Sequence, residues 1–193
     1  LSVNHERGVH VATRTESAQP FGEPRLIEEL SVSHGGGTFR PGDIPRCISP
    51  DSLMLYFDRK REHEKGFEIW AVSRKDRHSK WGSPERLALS GVNASVEMLF
   101  TQPFLTPDNL NLLTNSFDPS NGALTFVLWR RENVDSPFKE FEAIDIKSRF
   151  RIGNDDNAIC QYPRYVPDTN ELFFQALGDL WIIKDFDVSE FTQ

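Results

Sequence analysis

The chain has 193 residues, 38% of them hydrophobic and 15 of them Phe, with 22 basic against 29 acidic side chains and a formal net charge of −7. That is about one domain's length, with enough apolar material for a packed core rather than a disordered polymer. The acidic balance disfavours general nucleic-acid binding and polybasic membrane docking, and no apolar run approaches the roughly 20 residues of a membrane span.

In chain order, the residues read as units of four short strands, A to D. The first unit, residues 1–41, shows only its back part, with strand C at Val9–Arg14 and strand D at Arg25–Leu30. The second, 42–92, reads as strand A at Ile44–Ser49, a Pro50-Asp51-Ser52 turn, strand B at Leu53–Asp58, strand C at Phe67–Arg74 and strand D near Glu85–Leu89. The third, 93–154, places strands around Leu99–Leu105, Asn111–Asn115, Leu124–Arg131 and Phe141–Ile146. The fourth, 155–193, gives Ile159–Val166, Glu171–Gln175, Leu180–Lys184 and a stub at Phe191. Strand C is apolar on both sides in places (Phe126-Val127-Leu128-Trp129), as a strand covered on both faces must be. With 12 Pro spread along the chain and no long 3.6-residue apolar stripe, a helical reading fails.

Two sets of anchors mark the repetition. Ser49-Pro50-Asp51, Thr106-Pro107-Asp108 and Val166-Pro167-Asp168 place their prolines 57 and 60 residues apart, each ahead of an apolar strand. Arg14, Arg74, Arg131 and Lys184 each close a strand and are followed seven residues later by Phe21, Trp81, Phe138 and Phe191. Asp51 to Arg74 and Asp108 to Arg131 both span 23 residues, and Asp168 to Lys184 spans 16. Four-stranded units at a period of 40–60 residues are the signature of a β-propeller, expected here over a β-sandwich. The expectation is one all-β domain of four-stranded antiparallel blades, with four represented at least in part and five left open for the intact ring. Because the chain opens at a B–C junction, it reads as a fragment of a longer chain.

The run Cys47-Ile48-Ser49-Pro50-Asp51-Ser52-Leu53-Met54-Leu55-Tyr56-Phe57, then Gly66-Phe67-Glu68-Ile69-Trp70-Ala71-Val72-Ser73-Arg74 and Trp81-Gly82-Ser83-Pro84, resembles the WD40-like (PD40, TolB-type) bacterial propeller repeat. Thr13-Arg14 through Pro20-Phe21-Gly22-Glu23-Pro24 looks like the end of the same blade, and Asn93-Ala94-Ser95-Val96-Glu97 is similar to the entry into the next. The family's Gly after the turn Asp is replaced by Ser52, Asn109 and Thr169, so those turns must avoid or tolerate positive φ. The resemblance implies an extracytoplasmic (periplasmic or secreted) setting and a propeller that binds partners rather than catalysing.

The recurrent Asp reads as a turn cap, and strand directions suggest a staple in which Asp51 meets Arg74, Asp108 meets Arg131 and Asp168 meets Lys184. The basic runs Arg59-Lys60-Arg61 with Lys65, and Arg74-Lys75, Arg77 and Lys80, read as solvated loops rather than an anion patch. His5 and His10 have the wrong spacing for a zincin helix, His34, His63 and His78 lie in separate loops, and Gly35-Gly36-Gly37 lacks the context of a phosphate loop. No cofactor and no metal are expected. Cys47 and Cys160 sit in or near strand A and read as free thiols, with a cross-channel disulfide as the alternative. For a glycosidase the acids near strand A are Asp43, Glu97, Asp155 and Asp156, none paired by spacing, so no catalytic residue is named.

Matching Pro-Arg pairs on strand A, Pro45-Arg46 and Pro163-Arg164, single out a ligand site at the channel mouth. Arg46, Arg164, Tyr162 and Tyr165, with the acids Asp43 and Glu97, make a platform for an acidic or sugar-like ligand; the competing reading is arginines that neutralise channel carboxylates. The functional expectation is a non-catalytic binding module for a protein partner or glycan. The alternatives are a carbohydrate-active hydrolase or an accessory domain of a larger multidomain protein.

Overall fold

The computed structural model describes residues 9–16, 18–30, 43–60, 67–90, 99–117, 124–144, 160–166, 168–176 and 179–186. Among them the chain is all-β, with a single turn of 3-10 helix at Glu28–Leu30. The first sheet pairs β1 (Val9–Val11) with β2 (Arg25–Ile27). The second is a meander of β3 (Ile44–Ile48), β4 (Met54–Lys60), β5 (Phe67–Ser73) and β6 (Glu85–Arg86). After β7 (Leu89–Ser90), the third is a meander of β8 (Leu99–Leu105), β9 (Asn111–Phe117), β10 (Leu124–Arg130) and β11 (Phe138–Ile144). The fourth comprises β12 (Cys160–Val166), β13 (Glu171–Ala176) and β14 (Asp179–Ile183). All pairings are antiparallel except β7, which runs parallel to β11. The expected fourth strand of the second unit is therefore two pieces: Glu85–Arg86 stays with its own sheet, while Leu89–Ser90 edges the next.

The sheets pack face to face in sequence order. Leu55, Phe57 and Val72 of the second sheet, with Trp81 from its β5–β6 connection, meet Val9, Ile27 and Leu30. Its other face, with Tyr56 and Ile69, meets Leu112, Val127 and Trp129 of the third. The alternate residues of the third sheet, Leu113, Phe126, Leu128 and Ile144, meet Leu172, Phe174 and Ile183 of the fourth. Strand alternation sends neighbouring side chains to opposite faces, so a sheet with a neighbour on each side needs apolar residues at every position. That is the origin of the unbroken run Phe126-Val127-Leu128-Trp129, all fully buried. Trp129 donates its indole N–H to Thr114 Oγ1 at 2.9 Å and takes the edge of Phe100 at 4.8 Å.

The repeat anchors have a specific geometry that differs from an Asp–Arg staple. Asp51 Oδ1 accepts from the Ser49 hydroxyl and from Leu53 N at 2.9 Å; Asp108 Oδ1 accepts from the Thr106 hydroxyl and from Leu110 N at 2.9 Å. With the carboxylate occupied inside its own turn, the arginine bonds the backbone instead. Arg74 Nε donates to Ser52 O at 2.9 Å and Arg131 Nε to Asn109 O at 2.7 Å, and each also donates through NH1, to Arg77 O and Val134 O respectively. The aromatic seven residues on lies under the guanidinium: Phe21 under Arg14 at 4.7 Å, Trp81 under Arg74 at 4.5 Å and Phe138 under Arg131 at 4.6 Å. This cation–π stack is the physical content of the seven-residue spacing.

The missing glycines resolve in two ways. Ser52 and Asn109 take positive φ, 64° and 63°. In the fourth turn β-branched Thr169 avoids it and Asn170 takes φ 50° instead. Lys184 is not the fourth copy of the arginine. Ile183 pairs with Leu172 as Trp129 pairs with Leu112, but Asp185 follows at φ 56°, and it is Phe186 N that bonds Asn170 O as Arg131 N bonds Leu110 O. The Phe186 ring enters the core against Tyr165, while Phe191 lies outside the described residues.

Candidate functional site

Each of the strands β3, β8 and β12 carries a proline at an irregularity: Pro45, Pro103 and Pro163. A proline cannot donate to the sheet ladder and is tolerated at a bulge. The residue before it takes positive φ in two sheets, Gln102 at 56° and Tyr162 at 57°, which turns its N–H out of the ladder. That N–H then reaches the preceding sheet. Gln102 N donates to both Asp58 oxygens, at 3.0 and 3.3 Å, and Tyr162 N donates to Gln102 Oε1 at 2.7 Å. Asp58, fully buried on β4, also receives Arg46 Nε at 2.7 Å. One polar relay thus links three successive sheets, from Arg46 through Asp58 and Gln102 to Tyr162. Burial raises the Asp58 carboxyl above the ordinary range, against the pull of Arg46 and the Gln102 N–H.

Three of the residues expected at a ligand site come together here. The Arg46 guanidinium lies over the Tyr162 ring at 5.7 Å, and Tyr162 stays 39% exposed. Arg164, half-buried, rests on Phe104 at 5.4 Å and gives one N–H to Pro163 O at 2.8 Å. Desolvation lowers its pKa; Cys47 opposes that shift and the charge of Arg46 adds to it. Cys47 is a free thiol packed against the core between the second and third sheets, and desolvation pushes it up to about 12. The Cys160 side chain lies outside the described residues.

The other expected residues go elsewhere. Asp43 forms a forked pair with Arg59, at 2.6 Å from NH2 and 3.0 Å from Nε, with both side chains almost fully buried. Arg59 is accordingly no loop residue. Strand β4 runs on to Lys60 and sandwiches its guanidinium with Trp70 at 4.5 Å and Phe57 at 5.0 Å. Tyr165 is a core residue whose hydroxyl donates to Asn170 Oδ1 at 2.8 Å. Glu97, Asp155 and Asp156 lie outside the described residues, as do His5, His34, His63 and Gly35 to Gly37.

Asp58 and Gln102 were not singled out by sequence. The available signal was an acid directly after Tyr56-Phe57 in an apolar strand, since a buried carboxylate needs a partner. A separate cleft of about 420 Å³ lies at the β10–β11 turn, lined by residues that include Arg130, Arg131, Pro137 and Lys139, away from the relay. No protein-family model matches the chain, and no curated protein matches it.

Proposed function

We propose that the chain is part of a β-propeller of the WD40-like (PD40, TolB-type) kind and serves as a non-catalytic binding module. Its ligand sits where the innermost strands of successive blades meet. The serial face-to-face sheets and the recurring arginine–aromatic stack support the architecture. So does the far face of the fourth sheet. Leu180 (71% exposed) and Ile182 (48% exposed) occupy the register positions that Phe126 and Leu128 fill in the third sheet, where a neighbour covers them.

The observation that carries the binding reading is the bulge relay. It draws β3, β8 and β12 together and leaves the exposed Tyr162 ring beside the Arg46 guanidinium, with half-buried Arg164 two residues further along β12. The two described carboxylates near these strands, Asp43 and Asp58, are both held by arginines, which favours binding over acid–base hydrolysis. A ring face beside a guanidinium suits a glycan, as stacking platform and forked donor. A glycan array read together with chromatographic analysis of the incubated sugars tests this. Retention of an intact glycan, lost on Tyr162→Ala, is the expected result. Release of shorter products, or retention of nothing on the array, refutes it.

A further inference from the structure

Arg164 is, among the described residues, the one charge of this cluster without a counter-ion. A guanidinium has five N–H donors. Among the described residues, Arg164 makes no hydrogen bond apart from that to Pro163 O beside the Phe104 face, and no carboxylate comes within 4.0 Å of it. Arg46 is different, because Asp58 already cancels its charge at 2.7 Å. Among the described residues, two guanidiniums and one carboxylate leave the cluster with a single positive charge, on a side chain that is half removed from water. A partly desolvated cation without a counter-ion gains most from an anion that can use its fork.

We infer that Arg164 receives the carboxylate of a singly charged acidic ligand, with the Phe104 face at its back. This rests on reading the converged inner strands as the ligand site. The charge count selects the class. A monoanionic carboxylate neutralises the cluster and matches the planar fork, whereas a phosphate or sulfate dianion would leave excess negative charge beside the Asp58 carboxylate. The shared chemistry is the carboxylate, which a sugar acid or a simple organic acid could supply. The lowered pKa of Arg164 agrees with this arrangement, because a bound anion would restore it.

The test titrates the protein with glucuronate, glucose, benzoate, inorganic phosphate and sulfate while the Arg164 Nε–H resonance is followed by NMR. Glucuronate is expected to shift that resonance saturably and glucose to leave it in place. Benzoate matching glucuronate would assign the site to organic acids in general, and benzoate binding more weakly would assign it to sugar acids; either supports the carboxylate. Arg164→Gln should weaken glucuronate binding by about tenfold or more, and Arg164→Lys, which keeps the charge without the fork, by several-fold, at unchanged melting temperature. Phosphate or sulfate binding as tightly as glucuronate overturns the inference, as does equal binding of glucose or unaltered binding by Arg164→Gln. If the carboxylates fail while a neutral glycan is still retained on the array, this inference falls and the binding-module reading stands. Failure of both removes both.

Discussion

Truncating Asp58 to Ala would strike the relay at its most buried point. The carboxylate is fully buried, 2.7 Å from Arg46 Nε, and accepts the bulge N–H of Gln102 at 3.0 Å. Its loss leaves a guanidinium that is only 16% exposed without a counter-ion, and a buried N–H without an acceptor. Breaking a buried pair from one side costs about 3–5 kcal/mol, and because Arg46 retains some access to water we expect about 3 kcal/mol. Asp58→Asn keeps an acceptor for Gln102 N and loses only the charge, so it should cost about 1–2 kcal/mol. The double variant Arg46→Met/Asp58→Leu removes both charges but still orphans the Gln102 N–H, so it should recover the ion-pair part of the loss and end about 1–2 kcal/mol below the parent. The pH dependence has a definite sign. Burial holds the folded-state pKa of Asp58 above its unfolded value, so its contribution is fully present below the unfolded pKa and is lost as pH rises through the folded one. Asp58→Asn should therefore flatten the stability curve on the mildly acidic side. Urea unfolding followed by circular dichroism measures all three variants. A loss below about 1 kcal/mol for Asp58→Ala, or a double variant as unstable as the single one, would refute the account of the relay.

Replacing Arg131 by Lys removes the forked bonds to Asn109 O and Val134 O while keeping a cation near Phe138, and should cost about 1–2 kcal/mol in urea unfolding; an unchanged midpoint would show the stack to be incidental. Ser52→Gly should stabilise by about 0.5–1 kcal/mol, because φ 64° strains a residue with a Cβ and not glycine. Desolvation pushes the Cys47 thiol from 9.0 and the Tyr56 phenol from 10.0 up to about 12 each, so the stability they contribute is full below about pH 9 and is lost as pH rises toward 12. Folded protein should accordingly react with a disulfide reagent at Cys47 far more slowly at pH 8 than unfolded protein does, and equal rates would contradict the packing of that thiol.

Some of this molecule is written in local chemistry. Turn residues, alternation and β-rich runs act over a few positions, so Pro50-Asp51 and Pro107-Asp108 mark their turns and Leu99–Leu105 is a strand from end to end. Runs such as Phe126 to Trp129 announce a sheet covered on both faces, and the arginine–aromatic spacing survives because both partners belong to one loop. The chain could not say which atom each charge would meet. Asp51 and Arg74 are close in the fold, yet the Ser49 hydroxyl and the Leu53 N–H hold the carboxylate first, and the arginine turns to Ser52 O. Asp43, Arg59 and Asp58 look like ordinary polar residues in sequence; only burial between stacked sheets makes each of them require a counter-charge. The same holds for the site. Pro45-Arg46 and Pro163-Arg164 look equivalent, but the pairing of β3 with β4 sets Asp58 beside Arg46, whereas among the described residues Arg164 keeps only Pro163 O and the Phe104 face. Pairing across sheets depends on distances between segments far apart in the chain, and those distances are set by packing, which no local run of residues encodes.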